Sequence, residues 1–413
     1  MLVPGETMRP RPPYVEERDG HPRAAVFKVH TAGNTRVRTG SLALGSRLIQ
    51  TPVLWLGHSL KSHVRLTSRG DPEAAAPILL NFAELRGNSA ALGRSRTQGL
   101  HRAFQHDGPI LLDSGGYQFQ KAASIDLCPH DLAAFYGQSG ADIAVALDHP
   151  LSPAASRTTN TRRWRRSLEN LAAMRRDSAP YLLMPVVHGY TIGQIRRCCE
   201  RIEAAVGTPC AVGIGSMVPL LKASHIGGCF RYRREDGSIG SQVDFIADAI
   251  GTVRDVFPNS LLHVFGAGGV PTVLALFAAG ADSCDSAAWR LKASYGAIQL
   301  PGTSDRFLQD RQRTPGRVRR VVDAKDLAAI GACRCPACSP LKTVVSRRAL
   351  LNRSFSARAV HNAHVVTTEI GLLRTAVGAA RDHEWVTARM APTHRLRRLV
   401  LLAPRSPETE RHS

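Results

Sequence analysis

The sequence predicts an α/β fold, a (β/α)8 TIM-type barrel, and three observations carry that prediction. Eight short apolar runs recur between residues 51 and 283, each is separated from the next by enough chain for a helix, and several stop abruptly at Asp or Gly. Strand–helix alternation of this kind builds a parallel sheet with crossover helices. The runs are Thr51–Leu56, Pro77–Asn81, Pro109–Asp113, Asp142–Asp148, Tyr181–His188, Cys210–Gly215, Leu261–Gly266 and the weaker Ala281–Ser283. Between them, Ser167–Met174, Ile192–Val206 and Val243–Val256 place apolar residues at helical spacing. Val270–Gly280 does the same, opening with Pro271 in its first turn and ending on glycine. A doubly wound open sheet is the competing fold. It calls for a Gly-rich phosphate loop after the first strand, and Leu56-Gly57-His58-Ser59 is no such loop.

These runs set the expected domain organisation. Residues 1–20 are Pro- and Arg-rich and expected to be mobile, 21–304 form the barrel, 305–402 a small subdomain with C-terminal helices, and 403–413 a loose tail. Within the third region, Ala349–Val377 reads as one helical run.

With 43% hydrophobic residues in 413, the chain can bury a large core. Lys and Arg number 54 against 33 Asp and Glu, a formal charge of +21. That excess points to a polyanionic partner, because each neutralised phosphate releases counterions. The plainer alternative is an Arg-rich composition bias. Basic runs lie at Arg162–Arg166, Arg231–Arg234, Arg311–Arg320 and His394–Arg398, the first two interleaved with Trp164 and Tyr232. No stretch of about 18 apolar residues is present, and the first segment lacks the apolar core of a signal peptide. Membrane association is therefore not expected, and a cytoplasmic setting is.

Of nine cysteines, three cluster as Cys333-Arg334-Cys335-Pro336-Ala337-Cys338. Three thiolates at this spacing suit structural zinc, which wants four ligands. His361 or His364 fits as the fourth. Cytosolic thiols are kept reduced, so metal is favoured over disulfides.

The strand tips supply the catalytic candidates. Asp113 opens Asp-Ser114-Gly115-Gly116-Tyr117, Asp148 precedes His149-Pro150, and Asp282 and Asp285 form an Asp-x-x-Asp pair. In parallel α/β folds catalytic groups gather at the carboxyl ends of strands. A carboxylate nucleophile and a carboxyl proton shuttle could work on a sugar anomeric carbon, with Asp113 and Asp285 as the pair. Asp282 remains an alternative nucleophile or a cap. The glycine runs Gly213–Gly215 and Gly266–Gly269 would let backbone approach a flat ligand, and Tyr117 and His188 could stack on or bond to a heterocycle.

The Asp-Ser-Gly-Gly-aromatic-Gln strand end, the later Asp-x-x-Asp pair and Cys-x-Cys-x2-Cys followed by His-Asn resemble the tRNA-guanine transglycosylase superfamily, the queuine- and archaeosine-type tRNA-ribosyltransferases. The resemblance spans roughly residues 35–365 and implies a zinc-bearing (β/α)8 pentosyltransferase that exchanges guanine in a polynucleotide for a 7-deazaguanine. It implies Asp285 as nucleophile, Asp113 in proton transfer and Asp148 at the purine edge. Ser114, Gly115, Tyr117, His188, Gly215, Ser216, Gly266 and Gly268 would line the base and ribose sites. Cys333, Cys335, Cys338 and His361 match the zinc ligands, with one structural Zn2+ implied. The chain departs from the family at His188-Gly189-Tyr190, where bacterial members carry Gln-Gly-Gly, and at Asn81-Phe82-Ala83-Glu84-Leu85, where Asn-Thr-Tyr-His-Leu is customary. Ser286-Ala287-Ala288 resembles the archaeal form. A DNA-modifying 7-deazaguanine branch is thus the alternative to tRNA. A catalytically silent nucleic-acid-binding paralogue and a glycoside hydrolase are further readings. The intact aspartates argue against the first, and an aromatic fraction of only 6% against the second. A homodimer is a further expectation for this chain's partners.

Overall fold

The computed structural model describes residues 25–61, 64, 66, 76–120, 124–176, 178–222, 230–302, 305–309, 319–390 and 394–402. The expected mobile segment 1–20, the tail 403–413, Cys229 and most of the basic run Arg311–Arg320 lie outside the described residues.

The (β/α)8 barrel is present. Its strands are β1 (Val53–Gly57), β2 (Ile78–Asn81), β3 (Ile110–Asp113), β4 (Ile143–Val145), β5 (Leu182–Met184 and Val186–Val187), β6 (Ala211–Ile214), β7 (Leu261–Val264) and β8 (Ser283–Ser286). All neighbours are parallel, and β8 pairs with β1 through Asp285↔Trp55. The sheet order begins with one half of β5 and ends with the other. Pro185 divides them, since proline has no N–H to give the ladder. Its carbonyl still accepts from Gly213 N at 2.9 Å, so the ring closes across the break.

Strand alternation decides which side chains enter the barrel. Leu111, Ile143, Val145, Met184, Ala211 and Leu261 point inward and share a core with Trp55. Ile110, Leu112 and Ala144 point outward against Leu132, Phe135 and Tyr136 of helix Pro129–Ser139. Asp113 has the parity of Leu111, and His263 that of Leu261. Helix Ile192–Val206 shows why the crossovers form: Thr191 caps it by accepting from Gln194 N, and Ile192, Ile195, Cys199 and Ile202 make one buried stripe.

Three differences from the sequence reading matter for the site. Residues 25–51 are not barrel wall. They form a separate antiparallel sheet, Ala25–Ala32, Arg38–Leu44 and Arg47–Thr51. Its Leu42, Leu44 and Ile49 pack onto the inward residues Val53, Leu111 and Leu261, closing the end of the barrel opposite the strand tips. Secondly, the last strand starts at Ser283 rather than Ala281, which puts Asp285 inside it. Thirdly, the helical run Ala349–Val377 is two helices, Val344–Arg353 and Phe355–Gly378. Ser354 breaks the run, and its side chain caps the second helix by accepting from Ala357 N.

Beyond β8, Ile298, Leu300, Leu308, Ile330, Cys335, Cys338, Leu351 and Ala357 make a small core of their own. Asp382 ties this end to the start of the described chain, accepting from Asn34 N and Thr35 N, both at 2.8 Å. Among the described residues no helix is long and apolar enough to cross a membrane.

Candidate active site

The strand tips bring Asp113, Asp148, His188, Ser216, Gly266 and Asp285 to one rim. Asp113 ends β3, where Asn81 Nδ2 from the tip of β2 donates to its Oδ2 at 3.0 Å and Gly115 N donates at 3.1 Å. Burial, followed by the negative charges of Asp148 and Asp285, pushes its pKa up to about 8, and the amides of Gly115 and Ser114 offset only part of this. Asp113 is thus held protonated at neutral pH beside two other carboxyl groups, and can give up that proton to a reacting group.

The same shift makes a stability prediction. The folded-state value lies above the unfolded one of about 3.8, so the folded chain binds the extra proton between those limits. Its contribution is complete below about pH 3.8 and lost as pH rises through about 8. Asp113→Asn should therefore flatten the fall in melting temperature between about pH 4 and about pH 8, each pKa unit being about 1.4 kcal/mol. An unchanged pH slope in the variant would count against this assignment of the proton.

Asp148 sits just past β4 and is buried. Its Oδ2 lies 3.0 Å from His188 Nε2, and Ser114 Oγ donates to Oδ1 at 3.4 Å. His188 is fully buried, with Nδ1 2.8 Å from Ser216 Oγ. Ser216 Oγ in turn accepts from Leu151 N at 2.8 Å. His188 therefore faces a carboxylate rather than open space. Ser216 holds a left-handed backbone, φ +66°, to make these contacts.

The glycines here make room for side chains. A Cβ on Gly215 would lie 2.4 Å from His188 Cε1, and one on Gly213 2.4 Å from Phe265 Cε2. A Cβ on Gly116 would come within 2.2 Å of Asp148 Oδ1. Gly116→Ala is accordingly expected to displace the Asp148 carboxylate, lowering activity at least about tenfold with the melting transition retained. A fully active Gly116→Ala protein would show that Asp148 need not stay in place. Tyr117, by contrast, is 58% exposed on the short helix Gly116–Phe119, with Lys222 Nζ 6.0 Å from its ring centre.

Asp285 on β8 accepts from Gly266 N at 2.7 Å through Oδ1. Gly266 is left-handed at φ +73°, as is Gly268 at +84°, whose carbonyl accepts from Ser286 Oγ. Asp282, three residues earlier and so of opposite parity, is at the other end of the barrel. Its carboxylate takes Arg38 Nε at 2.7 Å, Arg254 Nη2 at 2.6 Å and Leu262 N at 2.8 Å. It anchors the floor, which removes it as an alternative to Asp285 at the rim. Asn81, Gly116 and His263 were not singled out from sequence. Asn81 had a legible signal, since it ends a strand as Asp113 does.

Several arginines of the basic runs fasten the fold. Arg163 is buried and donates to Pro150 O at 3.0 Å, and Arg395 donates to Leu220 O and Leu221 O. Arg162, Arg165 and Arg166 stay exposed on their helix.

This arrangement sits within a chain whose residues 34–395 match the family model described as queuine tRNA-ribosyltransferase. The chain belongs to the queuine tRNA-ribosyltransferase family. Three relatives, each named tRNA-guanine(15) transglycosylase, show the distance. The protein of Methanothermobacter thermautotrophicus is 27% identical over 87% of this chain and 49% of its own length. That of Haloferax volcanii is 28% identical over 75% and 54%, and that of Haloarcula marismortui 29% over 77% and 58%. The chain spans about half the length of these relatives.

In this queuine tRNA-ribosyltransferase family member a second group of side chains lies beyond β8. The ligand atoms of Cys333, Cys335, Cys338 and His361 all fall within 4.8 Å of one another and could hold a metal ion. His361 Nδ1 is 3.3 Å from Cys333 Sγ and 3.7 Å from each of the other two sulfurs. Three thiolates and one imidazole match tetrahedral zinc chemistry. His361 Nε2 meets Gln299 O at 2.9 Å, which turns the Nδ1 lone pair toward the sulfurs. His364, one helical turn along, is outside the group. Asn362 accepts from Gln299 N at 2.7 Å and donates to Trp289 O at 3.0 Å, joining the group to the helix that follows Asp285.

Proposed function

We propose that this protein is a guanine transglycosylase that replaces a guanine in tRNA with a 7-deazaguanine through a covalent aspartyl–nucleoside intermediate. The observation that carries the reading is a protonated Asp113 sharing one rim with Asp285, whose Oδ1 accepts from Gly266 N. In the first half-reaction an oxygen of Asp285 bonds to the ribose anomeric carbon. The glycosidic C–N bond breaks, its electron pair leaves with guanine, and the proton of Asp113 passes to that base. In the second half, the incoming base returns a proton to Asp113, its ring nitrogen bonds to the anomeric carbon, and Asp285 is released.

Asp148 would read the purine edge, held by His188 and Ser114. Ser114, Gly115 and Tyr117 on one side, and Gly215, Ser216, Gly266 and Gly268 on the other, would frame base and ribose. Ser216 is not a hydrolase nucleophile, because its hydroxyl is buried behind His188. Zinc held by Cys333, Cys335, Cys338 and His361 would be structural, since the protein closes the ligand set and leaves no open position. The exposed arginines of the basic runs would meet the phosphates, and the relatives' printed names put tRNA ahead of DNA as the polymer.

The test is incubation of the purified protein with labelled guanine and, in parallel, bulk tRNA and duplex DNA. Label should enter tRNA. Label in DNA alone would move the substrate to the DNA branch, and label in neither would leave a binding protein.

A further inference from the structure

We propose that His263 is the positioning residue of Asp285: with Gly266 it fixes one carboxylate oxygen, Oδ1, so that the other, Oδ2, is the atom that attacks. This rests on the reading of Asp285 as the nucleophile.

His263 is fully buried on β7 and faces into the barrel. Its Nδ1 is 2.8 Å from Ser283 Oγ and its Nε2 3.4 Å from Asp285 Oδ1. Ser283 and Asp285 are inward neighbours on β8, two residues apart, so the imidazole spans one strand repeat. Behind them, the buried Trp55 donates its indole N–H to Ser283 Oγ at 2.8 Å.

The order of these contacts sets the proton's place. An indole nitrogen can only donate. Ser283 Oγ therefore receives the Trp55 proton and directs its own hydrogen to His263 Nδ1, where the acceptor lies. The imidazole proton is then on Nε2, the nitrogen 3.4 Å from Asp285 Oδ1. The opposite tautomer would face a lone pair toward a carboxylate 3.4 Å away and leave the Ser283 hydrogen without an acceptor among the described residues. Trp55, Ser283, His263 and Asp285 thus form one polarised chain, with Phe265 packed edge-on against the imidazole at 4.3 Å between ring centres.

Asp285 Oδ1 receives Gly266 N at 2.7 Å and is faced at 3.4 Å by this ring edge, whose Nε2 makes no hydrogen bond in this conformation, while no hydrogen bond reaches Oδ2 among the described residues. An oxygen that already accepts one hydrogen bond and faces a second N–H is the weaker nucleophile. Oδ2 keeps its electron pairs for the anomeric carbon, and when that bond forms Oδ1 becomes the ester carbonyl oxygen, still bonded to Gly266 N and facing His263 Nε2. The donors give the ester one orientation, and on release they hold the carboxylate where it started.

The experiment compares His263→Leu, His263→Gln and Asp285→Asn in steady-state guanine exchange, with melting curves for each. His263→Leu removes the donor at similar volume and should lower kcat by about 10- to 100-fold with KM for the polynucleotide unchanged. His263→Gln restores an N–H donor and should recover most of that loss. Full activity in the Leu variant, or equal damage in Leu and Gln, overturns the proposal. If the Leu variant does not fold, Ser283→Ala, which removes the group that fixes the tautomer, should lower kcat at unchanged KM, and wild-type kcat in it overturns the proposal equally. Exchange surviving in Asp285→Asn would instead overturn the nucleophile reading. A dead Asp285→Asn beside a fully active His263→Leu would sink this inference alone.

Discussion

Replacing Asp285 by Asn should abolish incorporation of labelled guanine, by at least about 10⁴-fold, with the melting transition and metal content unchanged. The size follows from the proposed role: without the carboxylate no ester would form, and among the described residues neither other rim carboxyl group is offered as a replacement. Asp113 is held protonated, and Asp148 is engaged by His188 and Ser114. The amide keeps the volume and can still meet Gly266 N through its oxygen, so the fold should survive. A denaturing gel makes the same point directly. Wild-type protein mixed with its polynucleotide and quenched should show a covalent band that the Asn variant lacks. The band persisting in the variant would place the nucleophile elsewhere. Asp282 would not be the next choice, because Arg38 and Arg254 hold it at the opposite end of the barrel.

Removing the metal should have the second large effect. Cys335 and Cys338 are two of the eight buried residues in the small core beyond β8, and so few apolar side chains cannot hold a fold unaided. Structural zinc contributes folding free energy outright, on the order of 10 kcal/mol in small zinc-binding peptides. Cys335→Ser, or a strong chelator, should therefore release about one zinc per chain and open residues 319–353 to limited proteolysis. Activity should fall with it. Asn362, next to the candidate ligand His361, donates to Trp289 O, and Arg358 Nε donates to Ala293 O at 2.9 Å. Both acceptors are on helix Ala288–Ser294, which starts three residues after Asp285. A Cys335→Ser protein with unchanged proteolysis and full activity would show that the four side chains do not depend on an ion.

The apolar runs located the first seven strands to within two or three residues, because a strand buried on both faces must be apolar almost throughout, whereas the eighth, Ser283–Ser286, is polar and met its expected run only at Ser283. The cysteine spacing was equally legible, since ligands close in sequence need little help from the fold to meet. The antiparallel strands within residues 25–51 were not read from the sequence, for a physical reason. Runs such as Ser41–Leu44 and Arg47–Thr51 are short and half polar, as suits a sheet with one face on the barrel floor. The choice between Asp282 and Asp285 was in fact readable. A spacing of three on a strand sends the two side chains to opposite faces, and only the face shared with Ser283 enters the barrel.

His263 could not have been chosen from sequence. It is one histidine inside an apolar run, and its importance arises from Ser283 and Trp55, which are 20 and 208 residues distant along the chain. By itself the sequence determined the alternation of strands and helices, the family motifs and the metal-ligand cluster, because each depends on periodicity or short-range spacing. Tertiary structure alone decided which carboxyl group is pushed toward its protonated form, which aspartate anchors the floor and which oxygen of Asp285 accepts the Gly266 amide. Those outcomes depend on burial and on neighbours from other strands, and local sequence encodes neither.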